Sequence, residues 1–345
     1  MPSKAVSIVI VTWNSIFYIR ECLESVISQT FKDFSITVID NRSSDGTVEF
    51  LRENYPTVHI LQNFKNLGFS KANNQGIKLS NAEYVLVMNP DVVLEKNFLH
   101  RMVAFANEHK GGGSFTGRVF RITEKNTENY EGVAHFCDLD RATILDTTGI
   151  VMKKNRTSEN RGEGLINSDN FDKAVEIFGV SGCCALYRKE ALNDVRIRDE
   201  YFDESFFAYK EDVDLAWRLR LYGWESWYAP NAYAYHHRSF RATQEKGIMK
   251  KMTSRKKISK FVRILSTKNQ HLLLVKNDYF SNFFKHIIPI AINEIKLLLA
   301  IIVAEPFLVR AVKEFFSELR PTYSKRKIIM SHAKISAKEI RKWFR

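Results

Sequence analysis

The stretch AVSIVIVTWNSIFYIRECLESVISQTFKDFSITVIDNRSSD, residues 5–45, reads as strand, helix, strand and turn. Ala5–Thr12 is a continuous apolar run, as expected of a strand covered on both faces. Ile16, Ile19, Leu23, Val26 and Ile27 recur at helical spacing across residues 16–28. Phe34–Ile39 is a second strand, with Asp40 at its end. Two such strands joined by a helix imply parallel pairing and a right-handed crossover. The pattern continues outward. A short helix over Gly46–Glu53 is opened by Ser43-Ser44-Asp45, and Val58–Leu61 is a third strand. Ser70–Leu79 reads as a helix, Glu83–Met88 as a fourth strand and Lys96–His109 as the next helix.

A dinucleotide-binding crossover carries G-x-G-x-x-G after its first strand. Here the strand runs into Thr12-Trp13-Asn14-Ser15, with no glycine, and no G-x-x-x-x-G-K-[ST] loop occurs elsewhere. A nucleotide bound at this sheet would be held by side chains and a metal.

The middle of the chain is less regular. Gly111-Gly112-Gly113 marks a turn, Ser114–Ile122 and Ala142–Lys153 read as strands, and Ser158–Asp172 as a loop. Glu176–Arg188 returns to strand, with a short helix from Lys189. Tyr209–Tyr222 is a helix, and Trp224–His237 a pair of short strands broken at Pro230.

The chain has 345 residues, 45% of them apolar and 26% charged, which suits about two domains and excludes disordered, collagenous and coiled-coil classes. Cys22, Cys137, Cys183 and Cys184 form no CxxC pair, so a reduced chain without structural zinc is expected. MPSKAVSIVIVTW runs straight into a strand, so no secretion signal is expected and a cytoplasmic location is.

Residues 1–240 hold 28 Lys+Arg against 32 Asp+Glu, a net −4, whereas residues 241–345 hold 24 against 7, a net +17. That contrast sets an expected boundary near Arg241. The basic tail suits nucleic acid, an anionic membrane surface or an acidic partner, or is a solvated helical face. Ile287–Val303 is long and apolar but interrupted by Asn293, Glu294 and Lys296. A surface-lying amphipathic helix is expected there, not a spanning one.

Several residues carry candidate chemistry. Ligands of open α/β sheets sit beyond the carboxyl ends of the strands. Asp40 is placed there to accept hydrogen bonds from a base or ribose, or else to cap a turn; Asp45 reads as a helix cap. Asn89-Pro90-Asp91 follows the fourth strand, and its carboxylate suits Mg2+ or Mn2+, although N-P-D is often only a turn. In FFAYKEDVDLAWR, residues 206–218, three carboxylates favour the start of a helix, and Asp214 is spaced to pair with Arg218. Glu211 and Asp212 are the candidate general bases. His236 and His237 alternate on a strand, so one of them, His236, is a candidate second metal ligand.

The ordered series VSIVIVTWN, VIDNRSSDGT, NLGFSKANNQG, VMNPDV, VSGCCALYR, FFAYKEDVDLAWRLRLYGW and YHH resembles the family 2 inverting glycosyltransferases. It is most similar to their bacterial rhamnosyltransferase branch, over roughly residues 5–240. The resemblance implies a GT-A fold, α/β with a mainly parallel sheet and a C-terminal helical extension. Its halves would be a nucleotide-sugar half over about residues 1–110 and an acceptor half over about 111–240, before a basic helical tail at 241–345. It implies that Thr12 and Asn14 contact the nucleotide, that Asp40 reads the pyrimidine, and that Asn66, Gly68, Phe69 and Asn74 line the nucleotide pocket. Asn89 stands where the first aspartate of a D-x-D motif usually lies. Asp91 and His236 would bind Mg2+ or Mn2+, Asp212 in its E-D pair with Glu211 would be the base, and Gly182 and Trp224 would lie near the acceptor.

The donor so implied is dTDP-L-rhamnose, with a UDP-sugar such as UDP-galactofuranose second. The acceptor would be a glycan or lipid-linked hydroxyl in cell-surface polysaccharide synthesis, met at the inner face of the membrane, with a homodimer as a further partner. A basic nucleic-acid-binding protein and a nucleotidyltransferase are the readings from other classes. The tail shows no aromatic–basic alternation, so nucleic acid is not the expected partner.

Overall fold

The computed structural model describes residues 4–123, 126–130, 133–139, 142–237 and 258–345. Strands β1 (Val6–Thr12), β2 (Phe34–Asp40), β3 (His59–Gln62), β4 (Tyr84–Met88) and β5 (Val92–Leu94) alternate with helices α1 (Ile16–Ile27), α2 (Thr47–Asn54), α3 (Gly68–Leu79) and α4 (Phe98–Glu108). Then come β6 (Gly112–Arg121), β7 (Thr127–Tyr130), β8 (Val133–Phe136), β9 (Leu145–Thr147), β10 (Ile150–Met152), β11 (Ser158–Asn160), β12 (Val175–Glu176) and β13 (Cys184–Arg188). Helices α5 (Lys189–Asp194) and α6 (Glu211–Leu221) precede β14 (Glu225–His236). The described tail is helical: α7 (Lys260–Asn277), α8 (Phe280–Lys285), α9 (Ile287–Val303), α10 (Val309–His332) and α11 (Ala337–Arg341).

Ten strands form the main sheet, in the order β12-β14-β6-β13-β4-β1-β2-β3, with β5 added to β14 and β9 to β6. β1 pairs in parallel with β2 and β4, and β2 with β3, as the crossover pattern requires. β13 enters antiparallel between β4 and β6. Because side chains alternate along a strand, Val6, Ile8 and Ile10 join one buried cluster with α1 and α4, whereas Val9 joins the other with α3 and α6.

The middle of the chain departs from the sequence reading. Gly112 and Gly113 lie inside β6, because a Cβ at Gly113 would meet Ala191 and Trp224 at 2.9 Å. Residues 142–153 hold two strands, β9 and β10, and residues 158–160 form β11 against β10. The expected pair of strands at 224–237 is one strand, β14, whose register against β6 shifts between Tyr228 and Tyr233, around Pro230.

The expected boundary near residue 240 is a change of charge and not of packing. Arg241 itself lies outside the described residues, but Leu272, Leu273, Ile329, Ile340 and Phe344 share one buried cluster with Trp217 and Phe202. Part of the tail's positive charge is internal. Lys276 is buried between Asp203 and Asp214, and Lys325 reaches Asp203 at 2.6 Å and Glu200 at 2.7 Å. In return Arg156, upstream of the tail, is buried against Asp278 at 2.8 Å.

Candidate active site

Strand register brings the candidate residues to one edge of the sheet. Thr12 lies opposite Asp40, Met88 opposite Cys184, and His236 opposite Val92. The residues just beyond these ends, Asn14, Asn89–Asp91 and Gly182–Cys183, therefore meet there. Asn89 N–H donates to the Cys183 carbonyl at 2.9 Å, and His237 N–H to the Asp91 carbonyl at 2.9 Å.

Asp40 is buried and fully engaged. It accepts from Thr12 Oγ1 at 2.9 Å, Ser43 N–H at 3.0 Å and Ser43 Oγ at 2.5 Å. The turn-capping role is thus made, and a base would reach this carboxylate by displacing the Ser43 hydroxyl. Asn14, at φ 52°, accepts from Ser44 N–H at 2.8 Å, so the same loop is held from both sides. Asp45 ties two helix starts, accepting from Ile16 N–H at 3.0 Å and Thr47 N–H at 3.1 Å.

The carboxylate and histidine of the expected metal pair come together. Asp91 Oδ1 lies 3.3 Å from His236 Nε2 and is otherwise buried without a hydrogen-bond partner among the described residues. On the other side of the ring His236 Nδ1 is 2.9 Å from buried Asp146 Oδ2. A carboxylate behind an imidazole fixes its tautomer and aims the second nitrogen, the usual support of a metal-binding histidine. Burial works against charge on His236, but Asp91, Cys183 and Asp146 outweigh it and hold its pKa well above the ordinary histidine value. Ligand atoms of Asp146, Cys183 and His236 all lie within 4.8 Å of one another. An orphaned carboxylate oxygen beside an imidazole fits a divalent cation.

The two acids that open α6 differ in environment. Glu211 is buried, with Oε2 lacking a hydrogen-bond partner among the described residues; burial, then the charge of Asp212, pushes its pKa well above the usual carboxylate range. Asp212 is half-buried and accepts from Gly182 N–H at 3.0 Å and Val213 N–H at 2.8 Å. Asp214 bonds Arg218 at 3.0 Å with both side chains fully buried, a structural pair as its spacing implied.

The loop before Glu211 is strained, with φ of 62° at Phe207, 70° at Tyr209 and 73° at Lys210. Contacts from α3 and from the tail hold it. Gly68, at φ 84°, lets Phe207 pack so closely that a Cβ would lie 2.6 Å from it, while Ser70 N–H donates to the Phe207 carbonyl at 3.0 Å. From the tail, buried Asn269 Nδ2 lies 2.9, 2.9 and 2.8 Å from the carbonyls of Phe206, Ala208 and Tyr209. Asn66 accepts from Gly68 N–H at 2.9 Å and opens α3, and Phe69 faces Gly182, whose built Cβ would sit 3.6 Å from the ring and 3.4 Å from Asp212 Cβ.

The model of glycosyl transferase family 2 matches residues 7–196, more than half of the chain. The chain belongs to this family. Relatives of this transferase include the N-acetylglucosaminyl-diphospho-decaprenol L-rhamnosyltransferase of Mycobacterium tuberculosis, 29% identical over 67% of this chain and 76% of that one. The poly-beta-1,6-N-acetyl-D-glucosamine synthase of Staphylococcus epidermidis is 26% identical over 66% of this chain, which spans 49% of that relative's length. Among solved structures, GalNAc-T7 with UDP, GalNAc and Mn2+ superposes with a TM-score of 0.56 at 12% identity, covering 80% of this chain and 48% of that one. The transferase therefore has the GT-A fold, with helices appended after its sheet.

Two expected contacts are not brought to the site of the transferase. Trp224 lies beyond the far end of α6 from Asp212, roughly 16 Å along the helix, and its indole donates to Asp194 Oδ2 at 2.8 Å. Asn74 is buried and clamps Phe202, donating to its carbonyl and accepting from its N–H, both at 2.8 Å; it shapes the 202–207 turn instead of lining a pocket. Conversely, Asp146, Cys183 and Asn269 escaped the sequence reading. A lone aspartate within the apolar run Ile144-Leu145-Asp146 was the one available signal.

Proposed function

We propose that this transferase moves a sugar, L-rhamnose from dTDP-L-rhamnose, to a hydroxyl of a glycan or lipid-linked acceptor during cell-surface polysaccharide synthesis, with inversion at the anomeric carbon. One observation carries the reading. Gly182 donates to Asp212, while the next residue, Cys183, adjoins Asn89 and the His236–Asp146 pair. Consecutive Cα atoms are about 3.8 Å apart, so Asp212 and the Asp91–His236 pair both lie against the short segment Gly182-Cys183 at the strand ends.

At this edge of the sheet Asp212 takes the proton of the acceptor hydroxyl as its oxygen bonds to the anomeric carbon. The bond from that carbon to the nucleoside diphosphate breaks on the opposite face, so configuration inverts. Mg2+ or Mn2+ on Asp91 and His236 would neutralise charge on the leaving diphosphate. The donor assignment rests on the name of the mycobacterial relative and on motif likeness.

A panel of dTDP-, UDP- and GDP-sugars tests it by thermal stabilisation and nucleoside diphosphate release. A donor at a hundred times its Kd adds about 2.7 kcal/mol of stability. dTDP-L-rhamnose is expected to give the largest shift. A UDP-sugar in first place would move the donor assignment, and pyrophosphate as product would overturn sugar transfer.

A further inference from the structure

We propose that α9 lies in the surface of an anionic bilayer and that the apolar cavity beneath it, between α7 and α10, seats a hydrocarbon chain of a membrane lipid. The proposal is independent of the sugar and acceptor named above. Ile288, Ile292, Ile295, Leu299 and Ile302 form one stripe at helical spacing along α9, and all are exposed, Ile288 by 71% and Ile302 by 67%. The opposite face is occupied: Leu297 and Ile301 pack on Ile264, Leu308 and Ala311. An apolar stripe of this length bare to water marks an interaction surface.

The cavity has a volume of about 390 Å³, within the range of ligand sites. Ile295, Leu298 and Phe316 belong both to its wall and to the exposed apolar surface, so it opens onto the stripe. Its polar lining is self-satisfied. His271 Nε2 is 2.8 Å from Glu294 Oε2, and His271 Nδ1 is 2.8 Å from the Thr267 carbonyl. What remains to a guest is the apolar wall of Leu298, Ile301, Val312 and Phe315, which suits a chain of methylenes.

Charge selects the occupant. Lys285, Lys296, Arg310 and Lys313 are exposed beside the stripe. A two-fold dimer through this face would set these cations against their own copies, whereas an anionic leaflet complements them. Among the described residues no single helix is long and apolar enough to cross a membrane, and α9 is bent by 118° from the segment that follows. An in-plane helix fits that geometry. The cavity also borders the catalytic loop: α7 presents His271 to the cavity and Asn269, two residues earlier, to the carbonyls before Glu211.

The test uses the full chain with vesicles of phosphatidylglycerol and phosphatidylcholine carrying a phospholipid with a mid-chain diazirine. Flotation at low salt, weakened by added salt and absent with phosphatidylcholine alone, is expected. Photolabel should map to Leu298, Ile301, Val312 and Phe315. Ile292→Glu with Leu299→Glu, both at exposed positions, should abolish flotation without changing the melting temperature. Val312→Trp should keep flotation and lose the cavity label. Label confined to Ile288, Ile292 and Ile302 would overturn the cavity. Absence of flotation by the folded chain would overturn the whole proposal, and a discrete dimer in that case would assign the stripe to a second copy.

Discussion

Replacing Asn269 by alanine removes a tail side chain that holds the strained loop before Glu211 and Asp212. The left-handed residues Phe207, Tyr209 and Lys210 each cost roughly 1–2 kcal/mol, so the loop keeps its shape only while outside contacts offset that cost. The Asn269 amide contacts three carbonyls from a fully buried position. Losing those bonds and leaving carbonyls unpaired costs about 2–4 kcal/mol. At about 1.4 kcal/mol per tenfold, the competent loop falls by roughly 30-fold to 10³-fold in population relative to alternatives. If the loop's ordinary margin is small, kcat follows; donor KM, set at the other edge of the site, should move little. Steady-state kinetics beside a melting curve separate the two. Asn269→Asp, which offers a carboxylate to the same carbonyls, should be at least as damaging. Unchanged kcat in the folded alanine variant, or a kcat loss no larger than its unfolded fraction, would refute the positioning role.

Other perturbations follow from the same geometry. Glu211→Gln should keep transfer activity and raise the melting temperature at neutral pH. Unfolded Glu211 ionises near 4.5 but the folded group stays protonated well above that, so its stabilising contribution is complete below pH 4.5 and is lost as pH rises through the folded value; the gain from Gln should grow from pH 4 to pH 8 in paired melts. Asp146→Asn weakens the orientation of His236 and should lower Mn2+ affinity by about 10–100-fold in calorimetric titration, with the fold intact. Gly68→Ala forces a Cβ at φ 84° to within 2.6 Å of Phe207, and should lower both the melting temperature and kcat.

The parallel half was legible because its strands are unbroken apolar runs and its helices keep a 3.6-residue period. Asp40 and His236 accordingly end strands, and Asp91 follows one. How the tail's charge is used was not legible, because charge counts do not reveal burial: Lys276 and Lys325 neutralise Asp203, which lies more than 70 positions away. Asp146 reaches His236 across 90 positions, and Cys183 enters through the antiparallel insertion of β13, which no local pattern announces. Trp224 followed a motif beyond the helix whose other end carries the acids.

The measurement that bears most directly on sugar transfer by Asp212 is the comparison of Asp212→Asn with Glu211→Gln under saturating donor and acceptor. Removing a general base typically costs about 10²–10⁴-fold. Asp212→Asn should lose transfer by that factor while still being stabilised by the nucleotide-sugar, and Glu211→Gln should remain active. Full activity in Asp212→Asn, with loss in Glu211→Gln, would contradict the account.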